Sequence, residues 1–227
     1  MLILFSVILF ETACETTAPL TRNILIPAEY RIKDSTQTFL IIDAAEVLTT
    51  GIAIVKRREA VMQNVKTEYL SVVPDLVTMQ LSMPVVIDTS LTNDQKNRIV
   101  MGDKRIIDTL RSRHNAGVIG VLLNCYGGFE KDDVVTEKNQ DGSKSKTAFY
   151  SVFFESTWQV IADDVFQQKT IMARKPHSSR PIISGLLARG PGFKANRKDL
   201  LEISRENAYN FTGLFQDRYI NMPVPRK

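Results

Sequence analysis

Apolar and polar positions in the first half of the chain follow periods that predict strands and helices in turn. Two β-branched apolar runs, Asn23–Pro27 and Thr38–Ile42, are separated by a polar loop and predict two strands. Pro27 is typical of an edge strand because proline has no N–H to donate to a neighbour. From Arg58 to Met83 apolar residues recur every three or four positions, which predicts a helix. We expect a kink or a fresh helix start at Pro74, since proline removes a helical hydrogen bond. The predicted buried stripe consists of Met62, Val65, Tyr69, Val72, Val73, Leu76, Met79 and Met83.

A second strand–helix–strand unit follows. Pro84–Ile87 predicts a short buried strand. A helix is expected from an Asp103 cap to about His114, ended by Asn115 and Gly117, with His114 as a packed histidine on its apolar face. The continuous apolar run Val118–Tyr126 then predicts a central strand.

The second half is rich in aromatic residues and predicts an antiparallel meander. Lys131–Asn139 is expected to pair with Thr147–Ile161 across a turn at 140–143, which contains the hairpin-forming Asp-Gly pair. Asp163–Asp164 interrupts the pattern before a further strand, Gln167–Arg174.

A closing helix and a tail complete the order of elements. Asn196 is the expected cap of a helix weakened at Gly213. The tail, residues 221–227, is expected to be loose because it carries two prolines. The buried face of this helix is predicted from Leu200, Leu201, Ala208, Phe211, Leu214 and Phe215.

This order predicts an α/β (α+β) fold: a mixed β-sheet with helices packed on it, βαβα followed by an antiparallel meander and a C-terminal helix. There is no internal repeat and no low-complexity linker after residue 22, so residues 23–220 are expected to form a single domain.

The first residues indicate export. Met1–Phe10 is apolar except for Ser6 and is too short to cross a bilayer, which is typical of the core of a signal peptide. Ala13 directly before Cys14 resembles the lipobox of bacterial lipoproteins, although Glu11 stands where that motif has Leu. We therefore predict a lipoprotein signal peptide at 1–13, lipidation of Cys14 and a tether at 14–22; a buried N-terminal strand is the alternative.

The anchor and the charge pattern set the expected location and partners. A lipid on Cys14 places the protein at the outer membrane, and we expect the periplasmic face because only Glu15 follows the cysteine as an acidic residue. The expected partners are the membrane and an envelope protein. Nucleic acid is not expected, because the net charge of +4 arises from scattered cations with no basic stripe.

The residues that carry chemistry are few. With Cys14 assigned to lipid, Cys125 is the remaining cysteine, and its apolar run predicts a buried hydrophobe rather than a nucleophile. Neither His114 nor His177 lies in a metal-ligand spacing, and no hydrolase motif occurs. We predict no enzyme activity, no cofactor and no metal. The acidic groups Glu130, Asp132, Asp133, Asp163 and Asp164 are expected in loops and turns.

The glycine-rich segments lack the spacing of phosphate-binding loops. Gly127–Gly128 is expected to end a strand in a tight turn or bulge, with an anion nest as the alternative.

Several short segments resemble an uncharacterised family of Bacteroides-type lipoproteins. They are the leader, Ile26–Glu29, the Trp158-containing strand that ends at Asp163, and the aromatic closing helix. The resemblance spans roughly residues 14–220 and implies lipidation of Cys14, but no activity. The βαβ order is also similar to the domains of curli-secretion and penicillin-binding-protein-activator lipoproteins, at the level of the fold only.

Three functions follow from these observations. The leading hypothesis is a non-enzymatic binding or assembly module of the cell envelope. The second is a glycan or cell-wall hydrolase that uses Asp132, Asp133 or Glu155 as carboxylates. The third is a periplasmic small-molecule binder that uses the strand ends near Gly127.

Overall fold

A computed structural model describes residues 21–52, 57–163, 165–181 and 193–223. The predicted signal peptide and Cys14 lie outside these residues. Within the described chain the helices are α1 (Arg58–Leu81), α2 (Asn93–Val100), α3 (Lys104–His114) and α4 (Phe193–Thr212), the last continued by a 3-10 turn, Gly213–Phe215. The strands are β1 (Thr21–Ile26), β2 (Thr38–Thr50), β3 (Val85–Ile87), β4 (Ala116–Lys138), β5 (Lys144–Ala162), β6 (Val165–Pro181) and β7 (Arg218–Pro223).

The chain divides into two units, of which Ala28–Gln216 is the larger. Its five-stranded sheet has the order β3-β2-β4-β5-β6. β2 is parallel to both β3 and β4, whereas β4, β5 and β6 form an antiparallel meander. The predicted fold class, a mixed sheet with packed helices, a meander and a C-terminal helix, is confirmed.

The smaller unit contains β1 and β7, which pair antiparallel with Thr21 opposite Pro223. The first predicted strand therefore pairs with β7 and is not an edge strand of the five-stranded sheet. The expectation of a loose tail is wrong for residues 221–223, which belong to β7. Residues 224–227 lie outside the described chain.

Two apolar layers lie on opposite sides of the five-stranded sheet. α1 and α4 cover one side, where Met62, Tyr69 and Phe211 join the larger buried cluster. α2 and α3 cover part of the other side, where Ile99 and Leu110 join the smaller one. We call these the α1/α4 side and the α2/α3 side.

A buried hydrogen-bond network ties α1 and α4 to the sheet. The Trp158 indole N–H donates to the Tyr69 hydroxyl at 3.0 Å, and Tyr69 donates to Ser156 Oγ at 2.9 Å. Ser156 donates to Asn207 Oδ1 at 2.6 Å. The Asn207 amide group donates in turn to two strand carbonyls, those of Phe154 at 3.1 Å and Ile171 at 2.7 Å. Since buried polar groups are costly when unpaired, this network fixes where the two helices dock.

The predicted boundaries of α3 are confirmed, and α2 was not predicted. Asp103 caps α3 by accepting a hydrogen bond from the N–H of Arg105, and Asn115 ends it in the left-handed conformation. Gly117 plays no part in ending the helix, because β4 already begins at Ala116. α2 starts at a capping box in which Thr92 and Gln95 exchange hydrogen bonds.

α1 passes through Pro74 as one helix, so no fresh helix starts there. The predicted stripe is largely correct, since Met62, Val65, Tyr69 and Val73 are buried. Met79 is the exception: it is 78% exposed.

β4 does not end at Gly127–Gly128, so the expected turn is wrong. The strand continues to Lys138, and Gly128 pairs with Thr50 of β2. A Cβ on Gly128 would lie 1.9 Å from the Thr50 carbonyl oxygen, so glycine is needed for the close approach of the two backbones.

The start of α4 also differs from the prediction. The helix begins at Phe193, which places Asn196 within its first turn rather than at its cap. Its helical geometry tightens to a 3-10 turn at Gly213, where we expected weakening.

Candidate functional site

The described helices cover the α2/α3 side of the sheet over only part of its length. Near the start of β2, Leu40 and Ile42 are buried beneath the two helices together with Ile119 and Val121 of β4. Farther along β2, Leu48 on the same side is 49% exposed. The described helices thus leave the far half of this side open.

Alternation along the strands shows which residues lie on this open half. Ala45 and Val47 pack into the α1/α4 core, so Glu46 and Leu48 point the other way. Ile171 and Ala173 do the same on β6, which places Met172 between them on the open half. On β5, Glu155 is placed likewise by its buried neighbours Phe154 and Ser156, which face α1 and α4.

A bulge in β4 brings Tyr126 to the same surface. Before the bulge Val118 and Leu122 pack into the α1/α4 core, and after it Cys125 and Phe129 do so. The register shifts between Leu122 and Asn124 against both neighbouring strands. An extra residue reverses the alternation, so Tyr126 points away from the core.

The register of the sheet lines these side chains up in a row across four strands. Leu48 is opposite Tyr126, Tyr126 is opposite Glu155, and Glu155 is opposite Met172. At about 4.8 Å per strand, the row is about 14 Å long. We use the term "open face" for this row together with Glu46 and the sheet between them; Phe153 lies on the same side of β5 but is buried.

The open face has an aromatic centre between exposed apolar ends. The rings of Tyr126 and Phe153 pack edge to face with centroids 4.9 Å apart, and Phe153 is only 2% exposed. Leu48 at one end is 49% exposed and Met172 at the other is 53% exposed. Exposed apolar groups around a rigid aromatic pair are typical of a protein-binding surface.

The rim of the open face is acidic. Glu46 is exposed and Glu155 half-buried, and no ion pair found among the described residues includes either of them. Beyond Phe153, Arg174 forms ion pairs with both Glu130 and Asp132. Arg174 is thus shared between two carboxylates, and the described residues of the rim carry a net negative charge.

The arrangement of Asp132 and Glu155 does not match the carboxylate pair of a glycosidase. Asp132 accepts hydrogen bonds from Ser151 and Arg174, and these hold its pKa below the usual value of an aspartate. A general acid needs the opposite shift. Glu155 lies four residues along β5 from Ser151, the residue that is hydrogen-bonded to Asp132. The two carboxyl groups are therefore about 13 Å apart, whereas glycosidase carboxyl groups lie about 5 to 10 Å apart. Asp133 accepts a hydrogen bond from the backbone N–H of Val134. Glu130, Asp132 and Asp133 were expected in loops and turns, and this is wrong, because all three lie within β4.

Gly127 does not offer the strand end that a small-molecule site was expected to use. It lies in the interior of β4 on the α1/α4 side, where a Cβ would meet Met62 at 3.0 Å and Phe154 at 3.2 Å. The position is filled by core side chains.

The two histidines each have a carboxylate partner that sequence spacing did not reveal. His114 Nε2 lies 3.2 Å from Asp88 Oδ2 on the loop after β3. Burial acts to raise the pKa of Asp88, but hydrogen bonds from Ser90 and His114 outweigh it and lower that pKa. His177 Nδ1 lies 3.2 Å from Asp199 Oδ2 of α4. Both pairs join separate elements.

Cys125 is fully buried in β4, in agreement with its predicted role as a small hydrophobe. Burial raises the pKa of its thiol to about 12. Nearby, the buried Lys66 of α1 forms an ion pair with Asp43 of β2, with Nζ and Oδ2 2.9 Å apart. A thiol in this state is a poor nucleophile at neutral pH.

Neither a metal cluster nor a membrane-spanning helix is found in the described residues. No three His, Cys, Asp or Glu side chains of that part come together as metal ligands. None of its helices combines the length and the hydrophobicity needed to cross a bilayer.

No protein-family model matches the sequence, and no curated protein matches it. Among solved structures, a neuraminyllactose-binding hemagglutinin homologue from Helicobacter pylori is similar at 9% identity and a TM-score of 0.42, covering 81% of this chain and 90% of that chain. The PelC dodecamer from Paraburkholderia phytofirmans matches in two crystal forms, both with a TM-score of 0.36. One form has 8% identity over 86% of this chain and 98% of that chain, and the other 9% over 88% and 100%. Scores of this size do not establish a shared fold, and the lipoprotein-family resemblance stays a prediction.

Proposed function

We propose that the protein is a non-enzymatic binding or assembly module of a bacterial cell envelope, held at the outer membrane by a lipid on Cys14, with the open face as its binding surface. The observation that carries the binding role is the row of Leu48, Tyr126, Glu155 and Met172 across four strands. Apolar side chains are presented there on rigid strands with a charged rim, the arrangement that protein interfaces share.

The acidic rim defines the chemistry of the partner. Glu46 and Glu155 have no cation to neutralise them within the described chain, so a partner surface with arginine or lysine beside apolar side chains fits best. Leu48 and Met172 supply the area that becomes buried, and Met side chains adapt readily to a partner.

The anchor supports the same role. Each methylene of a lipid chain that enters the bilayer contributes about 0.8 kcal/mol, so several chains on Cys14 hold the protein stably whereas one does not. Intact-mass measurement of membrane-extracted protein tests this point. We expect a mass that begins at Cys14 and includes lipid, and a Cys14→Ala variant without it. Recovery of water-soluble protein that retains Met1 contradicts the anchor.

Capture from solubilised membranes tests the binding surface. A tagged wild-type chain is expected to retain a partner that the double variant Leu48→Glu/Met172→Glu loses, because carboxylates would replace the two side chains that contact the apolar groups of the partner. Met79→Glu on α1 is the matched control, since Met79 is equally apolar and 78% exposed on the other side of the sheet. Equal recovery by all three chains contradicts the assignment of the open face.

A further inference from the structure

The covered half of the α2/α3 side carries a cleft whose chemistry is the reverse of the open face. Its floor is apolar and is made by Leu91, Ile106 and Leu110, and Arg105 and Arg113 of α3 line its polar part. The cleft has a volume of about 220 Å³. We call it the α3 cleft.

Arg105 and Arg113 are available to a partner. Both residues are exposed, and neither guanidinium takes part in an ion pair found in the described part of the chain. They are eight residues apart on one helix, which places them about 12 Å apart along its axis.

The two glutamates of the open face have the same spacing. Glu46 and Glu155 are separated by two steps across the sheet, from β2 to β4 and from β4 to β5. They also differ by two residues along the strand, because Asn124 is opposite Glu46 and Tyr126 is opposite Glu155. Steps of about 4.8 Å across and 3.3 Å along give a separation of about 12 Å.

The apolar groups of the open face and the α3 cleft are complementary, as their charges are. Leu48 projects from the open face beside the glutamates, 49% exposed, and the α3 cleft offers an apolar floor between its two arginines. Both surfaces lie on the same side of the same sheet, one beyond the other along the strand direction. The helices form a raised layer next to the open face, so this side of the sheet has a step.

We propose that the partner of the open face is a second copy of this chain, with the two copies related by a two-fold axis so that each α3 cleft receives the open face of the other. This inference rests on the proposed function and names the partner. A two-fold axis in the interface plane, perpendicular to the strands, brings the raised half of one protomer over the open half of its partner. The contact between Arg105 or Arg113 and Glu46 or Glu155 is then made twice, as a closed two-fold interface requires.

Charge reversal tests the pairing directly. In variant X, Arg105→Glu/Arg113→Glu, both cleft and open face are acidic; in variant Y, Glu46→Arg/Glu155→Arg, both are basic. The wild-type full-length chain in detergent is expected to give a dimer by native mass spectrometry. X alone and Y alone are each expected to dimerise at least about 100-fold more weakly, because both copies of the contact become repulsive.

An equimolar mixture of X and Y is expected to form an X–Y dimer with near wild-type affinity, since both contacts then join opposite charges. Formation of this dimer also shows that both variants are folded. The control variant is Lys144→Glu/Lys146→Glu, on the exposed tip of the β4–β5 hairpin. It changes the net charge of the chain by the same amount as variant X does, and it is expected to leave the dimer intact.

Three results overturn the inference: a wild-type monomer at all concentrations, a mixture of X and Y that stays monomeric, or assembly into species larger than a dimer. If the wild-type chain is monomeric but still captures a different membrane protein that Leu48→Glu/Met172→Glu loses, the two-fold dimer is wrong and the proposed function stands.

Discussion

The amide of Asn207 is the point at which α4 is fixed to the sheet, and replacing it tests how much the buried network contributes. The side chain is fully buried and makes three hydrogen bonds, one accepted from Ser156 and two donated to strand carbonyls. In Asn207→Leu the branching and the number of heavy atoms of the side chain are conserved, but all three bonds are lost.

The expected loss follows from counting these bonds. A buried hydrogen bond contributes about 1 kcal/mol net, so three bonds amount to about 3 kcal/mol in the free energy of unfolding. The Ser156 hydroxyl proton and the two carbonyls also lose a partner without access to water, which adds to the cost. The bonds between Tyr69 and Trp158 remain, so the fold itself is expected to survive.

Urea unfolding followed by far-UV circular dichroism measures the effect. Asn97→Leu is the matched control, since Asn97 is an exposed helical asparagine in α2 and surface changes usually stay within about 0.5 kcal/mol. A loss below about 1 kcal/mol for Asn207→Leu would show that the network adds little beyond apolar packing, contrary to this expectation.

Three further predictions test other parts of the account. Gly128→Ala is expected to cost about 3 kcal/mol in thermal unfolding, because its Cβ would lie 1.9 Å from the Thr50 carbonyl oxygen; Gly142→Ala, with no atom within 4 Å, is expected to cost about 1 kcal/mol, and equal losses would argue against the close approach. Cys125 is expected to resist iodoacetamide in the native protein and to react once urea unfolds it, since burial raises its pKa to about 12; fast native labelling contradicts this. The lowered pKa of Asp88 means that its charge stabilises the fold above the unfolded-state pKa and that this stability is lost as the pH falls through the folded-state pKa. Asp88→Asn is therefore expected to destabilise at about pH 7 and to differ less and less from wild type as the pH falls below 3.8, and a difference independent of pH would disprove the linkage.

The periodicity of apolar residues was sufficient to predict the fold class. It did not predict an element with few apolar residues, such as α2, or the role of a glycine within a strand. The boundaries of α3 followed from the Asp103 cap and Asn115, which act locally. α2 buries only Ile99 among its residues, so it carries no apolar stripe. The Thr92–Gln95 capping box is the signal that could have revealed it.

β4 shows the limit of interpreting glycine from sequence alone. Gly128 was expected to make a turn, but it serves the close approach of Thr50 from a strand almost eighty positions earlier. The pairing of β1 with β7 joins the two ends of the described chain, and local sequence patterns do not predict it either.

The open face could not be predicted from the sequence because it depends on register. Glu155 was considered only as a hydrolase carboxylate, and Leu48 and Met172 belong to no motif. The bulge before Asn124 decides that Tyr126 points outward, and the pairing of four strands decides that these residues form one row. Such long-range pairing is set by the whole sheet.

Site-specific photocrosslinking in intact cells shows directly whether a partner binds at the open face. A benzophenone side chain in place of Met172 lies on the open face, and the same side chain in place of Met79 lies on α1 with still greater exposure. A discrete crosslinked protein band is expected from position 172 and none from position 79. No crosslink at position 172, or the same band from both positions, would contradict the open face as the binding surface.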